Sequence, residues 1–416
     1  MDKYLGIYIH IPFCASRCAY CDFYTLANRD ELMDRYHRAL LTHIREASPQ
    51  LQGFYIDSVY FGGGTPSYYG AARLVELFNA LKKHGRVLKD AEVTAEVNPD
   101  SITQPDLMRM RAAGFNRLSI GAQCADDGIL KSIGRRHNFA RTAATVESAR
   151  RAGFRNVSLD LIYGLPSQTR EGWADTLLKV LALKPEHLSC YGLKIEEGSQ
   201  LWIYKDSPFI PDDDAQADMY LYTVETLARN GLKQYEISNF AQPGLYSRHN
   251  MKYWTGQEYM SFGAAAHSYV AGRRYSFVAD ADKYAEGVLN GGTLIDHCET
   301  ISKFEQASEY VMLGLRTTRG ICKEEYQAVF PSPFDAAEKM LREFYHRGWA
   351  VENNGRWSFT PQGFLVSNTL IGMLLEALSN QRQAVGTPWR SGDVDENQSS
   401  LFVQPVESVT LFNGIN

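Results

Sequence analysis

A chain of 416 residues with 44% hydrophobic and 22% charged residues has the composition of an ordinary globular protein, long enough for one large domain and a smaller one. A net charge of −5 argues against a broad nucleic-acid-binding face, and no run approaches the roughly 18 apolar residues of a membrane span. Residues 1–4 run straight into a strand-like pattern without signal-peptide architecture, and seven cysteines in so long a chain do not make a disulfide framework, so a reducing, cytoplasmic location is expected.

In chain order, β-rich runs at 4–10, 57–62, 92–98, 117–123, 156–163 and 187–193 alternate with amphipathic segments near 31–46, 71–83, 104–113, 140–152 and 172–183. Regular β-then-α order implies parallel strands joined by crossover helices. Six units end by residue 193, whereas a complete eight-unit barrel needs roughly 250 residues. An α/β fold is therefore predicted, an open partial (β/α)6 TIM-type barrel over 1–240, with a doubly wound sheet as the alternative. A further helix is expected at 212–229 and a strand at 234–239. A connecting region of ligand-binding loops, rich in Gly, Tyr and His, is assigned to 241–301. From 302 the pattern turns helical, and Asn353-Asn354-Gly355 between two short β runs is a hairpin signal. A small helical, winged-helix-like domain over 302–379 is predicted, with a flexible polar tail at 380–416.

Three of the seven cysteines fall within eight residues, in Phe13-Cys14-Ala15-Ser16-Arg17-Cys18-Ala19-Tyr20-Cys21, directly after the first predicted strand. Four thiolates complete an ordinary iron–sulfur cube, so three on one loop leave an iron open to a small chelating ligand. Zinc is the competing reading, but it needs a fourth Cys or His. His10 is the nearest candidate, and it lies within the strand. Cys124, Cys190, Cys298 and Cys322 are scattered and read as small core or surface residues.

Further polar groups recur at successive strand ends, where barrel active sites lie. They include Gly62-Gly63-Gly64-Thr65-Pro66 after the second strand, Glu96 on the third, Gln123 on the fourth with Arg135 following, and Asp160 on the fifth. Taken singly, each has a plain structural reading, such as a turn, an ion pair or a cap.

Cys-x3-Cys-x2-Cys is the signature of the radical SAM family, which the chain resembles. The remaining segments are similar to the oxygen-independent coproporphyrinogen III oxidase family, and most to its heme-chaperone branch, from about residue 4 to residue 378. The resemblance implies a [4Fe–4S] cluster on Cys14, Cys18 and Cys21. It implies S-adenosylmethionine contacts from Tyr8, Gly63, Glu96, Gln123, Arg135 and Asp160, with Tyr20, Gly64 and Thr65 near the same cavity. It also implies heme as cargo, a reductant for the cluster and heme-acceptor proteins as partners, with no nucleic acid.

Two departures separate the chain from the oxidase branch. Phe23 stands where that branch carries a further cysteine, and only thirteen residues precede Cys14. His249-Asn250-Met251-Lys252-Tyr253-Trp254 resembles the chaperone branch, with His249 as a candidate iron ligand and Tyr253 and Trp254 as flat faces for a macrocycle. His267 is a second candidate. The competing function is oxidative decarboxylation of coproporphyrinogen III, which would call for Arg side chains on propionates, Arg248 or Arg316. A nucleic-acid-binding role for the C-terminal domain is a further alternative, but 302–378 carries no concentrated basic stripe.

Overall fold

The computed structural model describes residues 3–385 except Pro331. Six strands run in chain order side by side and parallel: β1 (Tyr4–Ile11), β2 (Tyr55–Gly63), β3 (Arg86–Val97), β4 (Arg117–Gln123), β5 (Val157–Tyr163) and β6 (His187–Gly192). The helices between them include α1 (Met33–Glu46), α2 (Ala71–His84), α3 (Gln104–Ala113), α4 (Phe139–Arg151) and α5 (Arg170–Ala182). Three of them begin at a side-chain cap. Thr103 makes a capping box with Asp106, and the Asn138 and Thr169 side chains cap α4 and α5. Alternate strand residues such as Leu5, Ile7, Ile9 and Ile11 are fully buried in one core that the helices cover.

The sheet continues beyond six strands. After α6 (Asp213–Arg229) come β7 (Lys233–Gln234) and β8 (Asn239–Ala241); β8 pairs antiparallel with β6, and β7 pairs antiparallel with β8 at the edge. Past α7 (Arg248–Trp254), β9 (Tyr259–Phe262) returns to the other edge and pairs parallel to β1, Gly6 opposite Tyr259. β10 (His267–Val270), β11 (Arg273–Phe277) and β12 (Ile295–Thr300) extend it antiparallel, with α8 (Ala281–Asn290) packed on α1. The segment 241–301, expected as connecting loops, is thus an integral part of the barrel sheet. Its strands are four to six residues long, too short for periodicity to declare them.

The C-terminal part has its own core around Val311, Tyr326, Leu341, Phe344 and Leu374. Helices α9 (Lys303–Gly314), α10 (Lys323–Val329), α11 (Asp335–His346), α12 (Pro361–Leu365) and α13 (Ser367–Val385) pack with a three-stranded antiparallel sheet, β13 (Ile321–Cys322), β14 (Ala350–Asn353) and β15 (Arg356–Phe359). The Asn354-Gly355 turn joins β14 to β15 as its sequence predicts. The final helix runs to Val385 rather than ending near 378, which corrects the start of the expected tail; residues 386–416 lie outside the described residues. Among the described residues no helix is long and apolar enough to cross a membrane.

Candidate functional site

The cysteine loop leaves the C-terminal end of β1 and is held from several sides. Phe13–Cys14 pairs with Leu26–Ala27, the Ala19 N–H donates to the Ile133 carbonyl at 3.0 Å, and the Leu201 N–H donates to the Ala19 carbonyl at 3.0 Å. Cys14, Cys18 and Cys21 all face a cavity of about 570 Å³ inside the strand ends. That size is typical of a small-molecule site. Cys14 Sγ lies 3.2 Å from Thr65 Oγ1, and Arg135 Nη1 lies 3.6 Å from Cys18 Sγ while its Nη2 donates to the Gly121 carbonyl at 2.7 Å. Burial, together with the neighbouring thiols, pushes the Cys14 thiol up to about 11.

The same cavity is lined by Tyr20, Gly63, Gly64, Thr65, Glu96, Gln123, Arg135 and Asp160. The sequence therefore brings eight of its nine candidate contacts onto one wall, and Tyr8 is the exception. The Tyr8 hydroxyl is 3.1 Å from His10 Nδ1, and its ring stacks on Tyr60, behind the lining. The glycine run works differently from a nest of free N–H groups. Gly63 N–H donates to Glu96 Oε2 at 3.1 Å, Gly64 N–H to the Ile11 carbonyl and Thr65 N–H to the Phe13 carbonyl. Gly63 has φ +114°, and a Cβ there would come within 2.5 Å of the His10 ring, so a side chain is excluded on both grounds.

Two half-buried carboxyls line the cavity. Glu96 receives the Tyr60 hydroxyl at 3.0 Å besides the Gly63 N–H, and burial with the nearby Asp160 pushes it up to about 7. Asp160 accepts from the hydroxyls of Ser119 at 2.8 Å, Ser189 at 2.8 Å and Ser158 at 3.3 Å, and burial raises it too. Arg117 is 1% exposed, and its Nε and Nη1 have no hydrogen-bond partner among the described residues. Arg117, Ser119, Gly121 and Gln123 line the cavity, while Leu118, Ile120 and Ala122 between them enter the core. That period of two was the signal by which Arg117 and Ser119 could have been found. Tyr60, Ser189, Tyr191 and Asn250 also line the site.

The expected heme residues lie elsewhere. His249 is 1% exposed, with Nδ1 3.0 Å from Ser58 Oγ and Nε2 2.9 Å from the Tyr253 hydroxyl. Desolvation lowers its pKa to about 3. His249 does not line the cavity, nor do Tyr253 and Trp254; only Asn250 of that helix does. His267 is exposed on β10. Arg248 pairs with Asp90, and Arg316 donates to Asn368; neither reaches the cavity. Cys124 is buried against Thr176 and likewise stays off the wall.

The residues fit an iron–sulfur cluster with S-adenosylmethionine. Three free thiols share one wall with a guanidinium that favours thiolates, and the scattered cysteines are absent from it. Among the described residues no three His, Cys, Asp or Glu side chains converge to hold a single metal ion. A multi-iron cube binds its thiolates at separate corners. Glu96 and Asp160 supply the negative charge that a sulfonium and an ammonium call for.

Comparison with known proteins agrees. The radical SAM superfamily model matches residues 8–180, and the HemN C-terminal domain model matches residues 301–366. The heme chaperone HemW of Bacillus subtilis is 32% identical over 378 residues, covering 89% of this chain and 99% of that protein. HemW of Mycobacterium tuberculosis is 35% identical over 381 residues, covering 89% and 94%. The mouse mitochondrial radical S-adenosyl methionine domain-containing protein 1 is 32% identical, covering 91% and 89%. Among solved structures, the coproporphyrinogen III oxidase HemN of Escherichia coli superposes with a TM-score of 0.78 over 91% of this chain and 90% of that one, at 23% identity, a likeness of fold. Identity above 30% along nearly the whole length decides the family: the chain belongs to the HemW heme chaperones, within the radical SAM superfamily.

Proposed function

We propose that the chain holds a [4Fe–4S] cluster and S-adenosylmethionine in the strand-end cavity, binds heme, and delivers it to acceptor proteins, with a cellular electron donor as reductant. The observation that carries this reading is similarity to HemW chaperones along both the barrel and the C-terminal domain. Phe23, at the cavity and 65% exposed where the oxidase branch has a cysteine, weighs against porphyrinogen decarboxylation.

Within that reading, Cys14, Cys18 and Cys21 hold the cluster, and the Arg135 guanidinium offsets thiolate charge at Cys18. When bound, the cluster supplies an electron next to the sulfonium. Glu96, fixed by Tyr60 and Gly63, and Asp160, fixed by three serine hydroxyls, orient the cationic ligand without moving on its arrival.

The test is anaerobic: reconstituted protein is titrated with heme by absorbance, mixed with a heme-free acceptor, and separately given reductant, S-adenosylmethionine and coproporphyrinogen III. Heme uptake and transfer without decarboxylated product is expected. Protoporphyrinogen formation, or failure to take up heme, would overturn the proposal.

A further inference from the structure

Asp160 is held mainly through one oxygen. Its Oδ1 accepts from the hydroxyls of Ser119 at 2.9 Å, Ser158 at 3.3 Å and Ser189 at 2.8 Å. Among the described residues Oδ2 accepts only from Ser119, at 2.8 Å. The serines come from three neighbouring strands in register: Ser119 on β4 lies opposite Ser158 on β5, and Ser189 on β6 lies opposite Asp160. Oδ2 therefore keeps an acceptor site for a ligand, and whatever fixes Oδ1 fixes where that site points.

Behind one of these serines stands a histidine that does not line the cavity. His187 opens β6 as the register partner of Ser158, two residues before Ser189 and so on the same face of the sheet. It is fully buried, with Nδ1 2.8 Å from Ser158 Oγ and Nε2 2.8 Å from the Tyr235 hydroxyl. Burial holds its pKa well below the ordinary value, so the ring is neutral and carries a single N–H. The neighbouring donors decide which nitrogen carries it. Tyr235 is buried, and its oxygen already accepts the Ser247 N–H at 3.3 Å. Among the described residues only a bare Nε2 gives the Tyr235 proton an acceptor. Ser158 spends its own proton on Asp160, so its oxygen accepts from Nδ1–H. The donors then run one way: Ser247 N–H to Tyr235, Tyr235 to His187, His187 to Ser158, and Ser158 to Asp160.

We infer that His187, in its Nδ1–H tautomer, is a positioning residue for Asp160, acting through the Ser158 hydroxyl and itself set by Tyr235. The inference rests on the proposed reading that Asp160 meets S-adenosylmethionine. Donors aligned head to tail polarise one another, so the last bond, onto Asp160 Oδ1, is strengthened by those behind it. The chain also carries the site beyond the six-unit repeat. Tyr235 lies in the link between β7 and β8, and Ser247 caps the start of α7. Two segments that contribute neither residue to the cavity wall thus help to set a carboxylate on β5.

The experiment measures S-adenosylmethionine affinity of the reconstituted full chain by calorimetric titration, expressed per cluster-loaded molecule. His187→Phe keeps the bulk of the ring and removes both nitrogens; it is expected to weaken binding roughly three- to tenfold, the range of one hydrogen bond. His187→Asn, whose amide nitrogen stands in for Nδ1, is expected to recover most of that loss. In an Asp160→Asn background, His187→Phe is expected to weaken binding no further, because its effect travels through the carboxylate. Wild-type affinity in His187→Phe, no recovery in His187→Asn, or full additivity with Asp160→Asn would overturn the inference. A histidine that merely packs the barrel would produce the last two. Should His187→Phe fail to fold, Ser158→Ala carries the same test, with loss expected alone and none in the Asp160→Asn background. A wild-type chain that binds no S-adenosylmethionine would instead defeat the functional reading on which the inference stands.

Discussion

The cysteine loop leaves the C-terminal end of β1, and α7 packs near its N-terminal end at Gly6. Both carry metal-binding residue types, yet they present them in opposite ways. Cys14, Cys18 and Cys21 share a cavity wall and have few internal partners. His249 has both nitrogens engaged and almost no exposure. Availability is decided by what a side chain has left over after folding, and residue type does not report that remainder.

The contrast can be broken at its strongest point first. Cys18→Ser is expected to abolish the cluster while the fold survives, read as loss of the iron–sulfur absorbance and iron content with an unchanged circular dichroism spectrum. Retained cluster in that variant would mean that the open wall is not the ligand set. At the other end, Lys252→Met removes the buried ammonium from the partly exposed Asp57 and should cost about 1 to 3 kcal/mol by denaturant midpoint, because the carboxylate loses its partner. The cluster content per folded molecule should not change, which separates packing from ligation.

Smaller effects sharpen the comparison on the cavity floor. Glu96→Gln keeps the shape and removes the charge, so S-adenosylmethionine affinity should fall roughly ten- to a hundredfold, the worth of a charge-assisted hydrogen bond. The smallest effect is a pH dependence. Glu96 sits near 7 in the fold against an ordinary 4.5, so the folded chain holds that proton between the two values. Stability from this group is complete below about 4.5 and is lost as pH rises through about 7. A cationic ligand prefers the ionised form, so affinity should climb by up to about tenfold per unit as pH approaches 7 and then level off, and the slope should vanish in Glu96→Gln. Calorimetric titration over that interval checks both statements.

The barrel strands were legible because a buried parallel strand is a dense apolar run; the fourth, 117–123, has the same bounds in the structure. The cavity was legible because its polar side chains recur at strand ends. What the sequence hid follows from distance along the chain. The pairing of β9 with β1 joins residues some 250 positions apart, and nothing local marks it. Tyr8 is a ligand contact that the family resemblance implies, and nothing local in the sequence marks its stacking on Tyr60. The surroundings of His249 are hidden in the same way: its partners Ser58 and Tyr253 come from a remote strand and from its own helix, and only the folded chain brings them together.

The late arrival of β9 has a consequence for biogenesis. β1, which launches the cysteine loop, is an interior strand whose second neighbour is not made until the ribosome has passed residue 262. At roughly 5–20 residues per second, the nascent chain spends on the order of ten to fifty seconds with that edge unpaired. An open edge is a template for association with other chains. The cysteine loop is therefore among the first segments synthesised, while the strand that launches it gains its second neighbour only some 250 residues later.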